Sequence, residues 1–240
     1  MLASPHDLRL QRLHGLYGIV GDEGPLEPTE WARALAGGGA CAIQLRFKRS
    51  TPREALALAR AVRAALPDAL LIVDDRPDLA VLADADGVHV GDEDISPAQA
   101  RAVVGPNRLV GVTARSSVGA RDAIAGGADH LGVGPVFPSR TKPLDVPSLG
   151  LAGLRAVCRT TAPVPVVAVS GIDLGSIGDV AGAGAACAAV IAAVSGSGDP
   201  LDATRKLAAA FVAGRPEAWI PGGGRLCRPT GGGHGPEHSE

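Results

Sequence analysis

Residues 73–94 read VDDRPDLAVLADADGVHVGDED. The run leaves one short apolar segment (70–73), crosses an amphipathic stretch (77–83) and ends just past a second apolar segment (87–90). Continuous apolar runs separated by amphipathic ones are the pattern of parallel strands buried on both faces. Asp75 follows the first strand and Asp94 the second. In a parallel barrel neighbouring strands lie about 4.8 Å apart, and their C-terminal ends open on one face. Two carboxylates there can converge on one hard cation such as Mg²⁺, which takes oxygen ligands and keeps a phosphate partner. The plainer use of Asp after a strand is a turn or a helix cap. Asp74 and Asp75 are adjacent, so on an extended chain they face opposite ways and do not share one metal.

The same alternation extends in both directions. Strands are expected at 15–20, 41–45, 70–73, 87–90, 109–112, 130–133, 164–169 and 187–191, with helices near 30–37, 52–66, 77–83, 97–104, 117–126, 149–159, 174–183 and 199–212. Eight such units predict a closed (β/α)₈ TIM barrel, an α/β fold, with an open doubly wound sheet as the lesser alternative. Helix starts support the phasing. Thr51-Pro52-Arg53-Glu54 carries an N-cap, a first-turn proline and a capping-box acid, and Ser96-Pro97 opens its helix in the same way. From Gly214 the pattern stops in glycine runs at 222–224 and 231–233. The division expected is therefore a catalytic barrel over 1–213 and a flexible tail over 214–240. His234 and His238 are read as part of that solvated tail.

Composition narrows the function. The chain of 240 residues is 46% hydrophobic, with two Trp, one Tyr and three Phe, so it lacks the stacking platforms of single-strand nucleic-acid binders. A formal charge of −2 gives no global pull toward nucleic acid or an anionic membrane. No leader of basic-then-apolar type and no run of membrane-span length is present. Cys41, Cys158, Cys187 and Cys227 form no CxxC pair and no metal spacing with histidine, which fits a reduced, cytoplasmic setting. Cys41 and Cys187 sit in apolar strand-like runs, where a free thiol acts as a small hydrophobe.

Chemistry concentrates where strands end. Gln44, Arg46 and Lys48 alternate in QLRFK, so they share one side of an extended chain. A guanidinium fork and a flexible ammonium suit a diphosphate. The segment 132–142, GVGPVFPSRTK, brings Ser139, Thr141 and Lys142 on a long loop able to donate to phosphate or carboxylate and to act as a lid. Gly171 and the Ile191-Ala192 pair follow strands seven and eight, where barrels bind phosphate through backbone N–H groups. His89, between Val88 and Val90, is read as a core histidine rather than a ligand.

Taken together, QLRFK at 44–48, VDDRPDLA at 73–80, ADGVHVGDED at 85–94, GVT at 111–113, GVGPVFPSRTK at 132–142 and SGI at 170–172 resemble the thiamine phosphate synthase family over residues 16–211. The resemblance implies a transferase in which a hydroxymethylpyrimidine diphosphate loses pyrophosphate and is captured by the nitrogen of a thiazole phosphate. It implies Mg²⁺ on Asp75 and Asp94, the diphosphate on Arg46, Lys48, Thr113 and Lys142, and the pyrimidine substrate on Gln44 beside Asp74. The resemblance further implies that Ser139 and Thr141 face the thiazole phosphate, with its phosphate on backbone around Gly171, Ile191 and Ala192. Arg46, Lys48 and Lys142 are the catalytic cations in this reading, and small molecules rather than nucleic acid or membrane are the partners.

The chain departs from the family pattern at Asp74 (usually Asn), Asp92 (usually Gln), Arg115 (usually His), Ser170 (usually Gly) and Ala192 (usually Ser). Asp74 and Asp92 add negative charge beside a diphosphate site, from which a steep Mg²⁺ dependence is expected. Two alternatives share the barrel. A thiazole tautomerase-like paralogue carries a histidine after the sixth-strand glycine, where this chain has Pro135. A non-catalytic phosphate-binding barrel would keep the pocket without the chemistry.

Overall fold

Eight parallel strands close on themselves in sequence order. They are β1 (Gly15–Gly21), β2 (Ala40–Arg46), β3 (Leu71–Asp74), β4 (Gly87–Val90), β5 (Leu109–Ala114), β6 (His130–Val133), β7 (Val166–Ala168) and β8 (Cys187–Val190). The computed structural model describes residues 3–22, 26–138 and 146–216. Closure is direct: Gly15 of β1 pairs with Cys187 of β8, and Gly18 with Val190. This is the expected (β/α)₈ barrel. Most of the expected tail, 217–240, lies outside the described residues.

The helices are α1 (Pro5–Gln11), α2 (Pro28–Gly37), α3 (Pro52–Ala65), α4 (Pro77–Leu82), α5 (Pro97–Val104), α6 (Ser117–Ala125), α7 (Gly150–Thr161), α8 (Ile177–Gly182), α9 (Ala192–Ser195) and α10 (Pro200–Ala213). Capping boxes start α3 at Thr51 and Glu54 and α5 at Ser96 and Gln99. Helix α3 turns Ala55, Ala59 and Val62 inward, one apolar stripe at helical spacing. Among the described residues no helix is long and apolar enough to cross a membrane.

Two elements were not expected. Helix α1 buries none of its residues, so it carries no apolar stripe to betray it, although Ser4 and Asp7 form a capping box. Helix α9 is one turn long, too short for any periodicity. Strand β7 is shorter than the expected 164–169 because the Val164 N–H turns back to Thr161 and Pro165 has none to give.

Two apolar shells result. One lies between strands and helices; the other fills the lumen with Tyr17, Ala42, Leu70, Ile72, Leu109 and Val167 among others. Half-buried acids pin the strands at the N-terminal face. Asp86 accepts from Arg9, Arg63 and the Leu71 N–H, and Asp129 accepts from Arg101 and the Val110 N–H. These donors hold the Asp86 carboxyl below its ordinary range even though burial alone would raise it.

Within the lumen, glycines make room for two imidazoles. A Cβ on Gly111 would stand 2.2 Å from His130 Nε2 and 2.5 Å from His89 Nδ1, and one on Gly132 2.7 Å from His89 Cε1. Gly111→Ala is therefore expected to overpack the lumen, at a cost of about 1–3 kcal/mol. Thermal unfolding should register a fall of roughly 3–10 °C. Gly198→Ala, where an added Cβ meets nothing within 4 Å, serves as the control and should leave Tm almost unchanged.

Candidate active site

The C-terminal strand ends surround a cavity of about 540 Å³. Gln44, Arg46, Lys48, Asp74, Asp75, Asp94, Thr113, Gly171, Ile191 and Ala192 all line it. Ser139, Thr141 and Lys142 lie outside the described residues. The structure thus gathers every described site residue expected from the sequence into one basin.

Asp74 is the hub. Its Oδ1 accepts from Gln44 Nε2 at 2.6 Å, while Arg46 Nε and Lys48 Nζ stand 3.5 and 3.3 Å from Oδ2. Alternation along β2 aims Gln44 and Arg46 at this carboxylate, and the loop that follows the strand brings Lys48 to it. Its side chain is only 9% exposed, so that carboxylate needs this compensation. Asp22, at the end of β1, accepts from the backbone N–H groups of Lys48, Arg49 and Ser50 and from the Ser50 hydroxyl, which fixes the loop carrying Lys48.

Asp75 departs from expectation. Its backbone is left-handed, with φ of +58°, not extended. The turn brings its carboxylate to the ammonium of Lys48, which also contacts Asp74. Adjacent carboxylates therefore share one cation here, because the condition that sent them apart, an extended chain, is not met. Asp94 is held by its own turn: Oδ2 accepts from the Gly91 N–H at 2.8 Å.

The departures from the family pattern are also compensated. Arg115 donates to Asp92 twice, Nε to Oδ2 at 2.8 Å and Nη2 to Oδ1 at 3.1 Å. This fork holds the Asp92 carboxyl below its ordinary range. Asp92 and Arg115 are one neutral pair, not an added charge and a lost histidine. The negative charge that Asp74 and Asp92 add beside the site is thus met locally by cations, Arg46 and Lys48 at Asp74 and Arg115 at Asp92.

Three floor residues escaped the sequence reading. The Tyr17 hydroxyl donates to Gln44 Oε1 at 2.9 Å, so the carboxamide is fixed between Tyr17 and Asp74. His89, set aside as a core residue, faces the cavity and lies 3.1 Å from the Thr113 hydroxyl. His130 is fully buried, and neither ring nitrogen has a hydrogen-bond partner among the described residues. Burial, reinforced by the neighbouring His89, pushes the His130 imidazole down to about 3. Burial also lowers His89 despite the charges of Asp74 and Asp94. The available signal was strand parity, since His89 is two residues from Gly87 and inward positions repeat by two.

Opposite this wall, Gly171 is left-handed (φ +69°), and a Cβ there would stand 2.6 Å from both Phe137 Cβ and the Pro138 carbonyl oxygen. Only glycine lets the loop after β7 pass so close to the loop after β6.

The thiamine monophosphate synthase family profile matches residues 16–194. The chain belongs to the thiamine monophosphate synthase family. It is 52% identical over 208 residues to a thiamine-phosphate synthase of Anaeromyxobacter dehalogenans, covering 86% of this chain and 92% of that one. It is likewise 52% identical over 186 residues to a thiamine-phosphate synthase of Myxococcus xanthus, covering 77% and 85%. A solved thiamine phosphate pyrophosphorylase from Pyrococcus furiosus superimposes with a TM-score of 0.78 at 36% identity, covering 85% of this chain and 98% of that one. The family's members named here are transferases, and the barrel, its order of elements and its site face agree with that membership.

Proposed function

We propose that this chain condenses 4-amino-5-hydroxymethyl-2-methylpyrimidine diphosphate with thiazole phosphate, giving thiamine phosphate and pyrophosphate. The observation that carries the reading is the convergence of Gln44, Arg46 and Lys48 on the Asp74–Asp75 pair. A site built this way manages charge on a leaving group rather than offering, among the described residues, a dedicated general base. In the reaction, the bond from the pyrimidine methylene carbon to the diphosphate oxygen breaks and its electron pair leaves with the diphosphate. The thiazole nitrogen then supplies the pair for the new C–N bond.

Arg46, Lys48 and the Thr113 hydroxyl hold the diphosphate, joined by Lys142. Gln44, its orientation fixed by Tyr17, holds the pyrimidine. Ser139 and Thr141 contact the thiazole phosphate, with Gly171, Ile191 and Ala192 as the wall against its phosphate. His89 and His130 stay neutral at pH 7, so the floor does not repel the carbocation that develops when diphosphate departs. Asp75 and Asp94 are hard oxygen donors that both line the cavity, a pair that would suit Mg²⁺ sharing its remaining positions with water and diphosphate. When bound, the ion neutralises charge on the departing diphosphate. The ammonium lodged against Asp74 and Asp75 supports this, since that pocket already attracts a cation. Phosphorylated substrates and reduced thiols fit a cytoplasmic setting.

The test mixes the protein with both substrates and Mg²⁺ and assays thiamine phosphate together with pyrophosphate. Equal amounts of the two, lost with EDTA and in Asp94→Ala, are expected. Folded protein that makes neither across a wide Mg²⁺ range would overturn the reading, and a thiazole tautomerase assay would follow. The Asp92–Arg115 pair adds a finer expectation. Arg115→Ala should raise KM for the pyrimidine diphosphate several-fold, and Asp92→Asn in the same chain should restore most of it. A double variant no better than Arg115→Ala would show that Arg115 does more than neutralise Asp92.

A further inference from the structure

Two thiols that the site does not use meet near the N-terminal end of the barrel. Cys41 Sγ lies 3.7 Å from Cys187 Sγ, across the strand β1 that pairs with both β2 and β8. A β-bulge puts Cys41 there. Leu16 pairs with Ala40 and Tyr17 with Ala42, so Cys41 is the extra residue on β2. Strict alternation would send Cys41 to the opposite face from Ala42, yet both pack against the lumen cluster that contains Cys187.

The two thiols stand in different surroundings. Cys187 is fully buried, and burial raises its thiol well above the ordinary range. Cys41 is half-buried, and the hydrogen bond with Cys187 favours its thiolate, helped by the His14 N–H and the Arg215 guanidinium. A cavity of about 320 Å³, lined by Cys41 with Arg12, Ala36, Pro67 and Asp68, opens beside it. A thiol that lines a cavity and is backed 3.7 Å away by a fully buried one is the layout of an attacking and a resolving cysteine.

We propose that Cys41 and Cys187 form a dithiol that hydroperoxides oxidise to an intramolecular disulfide. The Cys41 thiolate attacks one peroxide oxygen, the O–O bond breaks, and the other oxygen leaves as hydroxide, which a solvent proton converts to water. Cys41 is then a sulfenic acid. The Cys187 sulfur attacks Cys41 Sγ, the S–O bond breaks, and the departing hydroxide takes the Cys187 proton as water. Two thiols and one hydrogen peroxide thus give one disulfide and two waters. The sulfurs close from 3.7 Å to about 2.0 Å. This inference stands apart from the choice of substrate.

The experiment treats the folded full-length protein with hydrogen peroxide, blocks remaining thiols with N-ethylmaleimide and digests with trypsin without reduction. Cys41 and Cys187 are the single cysteines of the tryptic peptides 34–46 and 160–205. These two peptides should appear joined, about 2 Da below their summed mass, and dithiothreitol should part them. Cys187→Ser should stop at a Cys41 sulfenic acid that dimedone traps. The proposal falls if peptide 34–46 ends blocked or as a sulfinic acid without the joined species. It also falls if joining needs urea, or if Cys41 pairs instead with Cys158 or Cys227.

Discussion

Lys48→Met is expected to lower kcat/KM for the pyrimidine diphosphate by about 10²–10³-fold, while KM for the thiazole phosphate stays within about twofold. The lysine ammonium is the cation that both Asp74 and Asp75 contact, and Asp74 is nearly buried. Methionine keeps a long unbranched side chain and removes the charge, so the cation shared by the two carboxylates is gone and an incoming diphosphate loses a counter-charge. Arg46 alone is then left beside Asp74, and Asp75 has lost the ammonium it contacts. Steady-state kinetics with each substrate varied in turn separates this from general damage. Lys48→Arg should recover part of the loss, because charge returns but the guanidinium does not reproduce the point contact. Equal losses toward both substrates would place Lys48 outside the diphosphate site.

The second large effect is acid sensitivity from His130. Its folded value is about 3 against 6.5 for the free side chain. Between those values the unfolded chain holds a proton that the folded chain excludes, so stability rises with pH and is lost as pH falls below 6.5. Each pH unit inside the window is worth up to about 1.4 kcal/mol. Moving from pH 7 to 4.5 should therefore cost roughly 2–3 kcal/mol from this group, a drop of about 5–10 °C in Tm. Asp86 and the other depressed carboxyls titrate below their ordinary values, so their contributions are lost in more acid solution. His130→Phe keeps a ring in the lumen and removes both unpartnered nitrogens. Its Tm should fall no more than half as far over the same pH range, the remainder coming from His89. An unchanged pH dependence in His130→Phe would show that His130 is not the group excluding the proton.

What could be read in the sequence follows from which forces act locally. Apolar runs and capping boxes are local, so the strands and the helices from α2 to α8 emerge close to their observed bounds. The alternation of Gln44 and Arg46 is likewise a property of one strand, and Lys48 follows two residues later on the adjoining loop. The pairing of Asp92 with Arg115 joins the ends of β4 and β5, so no single segment announces it. His89 and His130 become a pair only when β4 and β6 face each other across Gly111. The sharing of one cation by Asp74 and Asp75 escaped for a subtler reason. The φ of Asp75 reverses its side chain, and strand parity, valid up to Asp74, ends one residue too soon.

That reversed backbone also limits the drift of position 75 through descent. Among residues other than glycine, Asp and Asn enter the left-handed region several-fold more readily than most. An alanine there bears a strain of about 1–2 kcal/mol in addition to losing its carboxylate. Geometry thus leaves Asp, Asn and Gly as the neighbours through which a lineage can pass without unsettling the turn. Of these three, only Asp brings the charge that a cation answers. Asn would preserve the turn in a barrel that had given up the cation, and that single exchange is the trace its loss should leave.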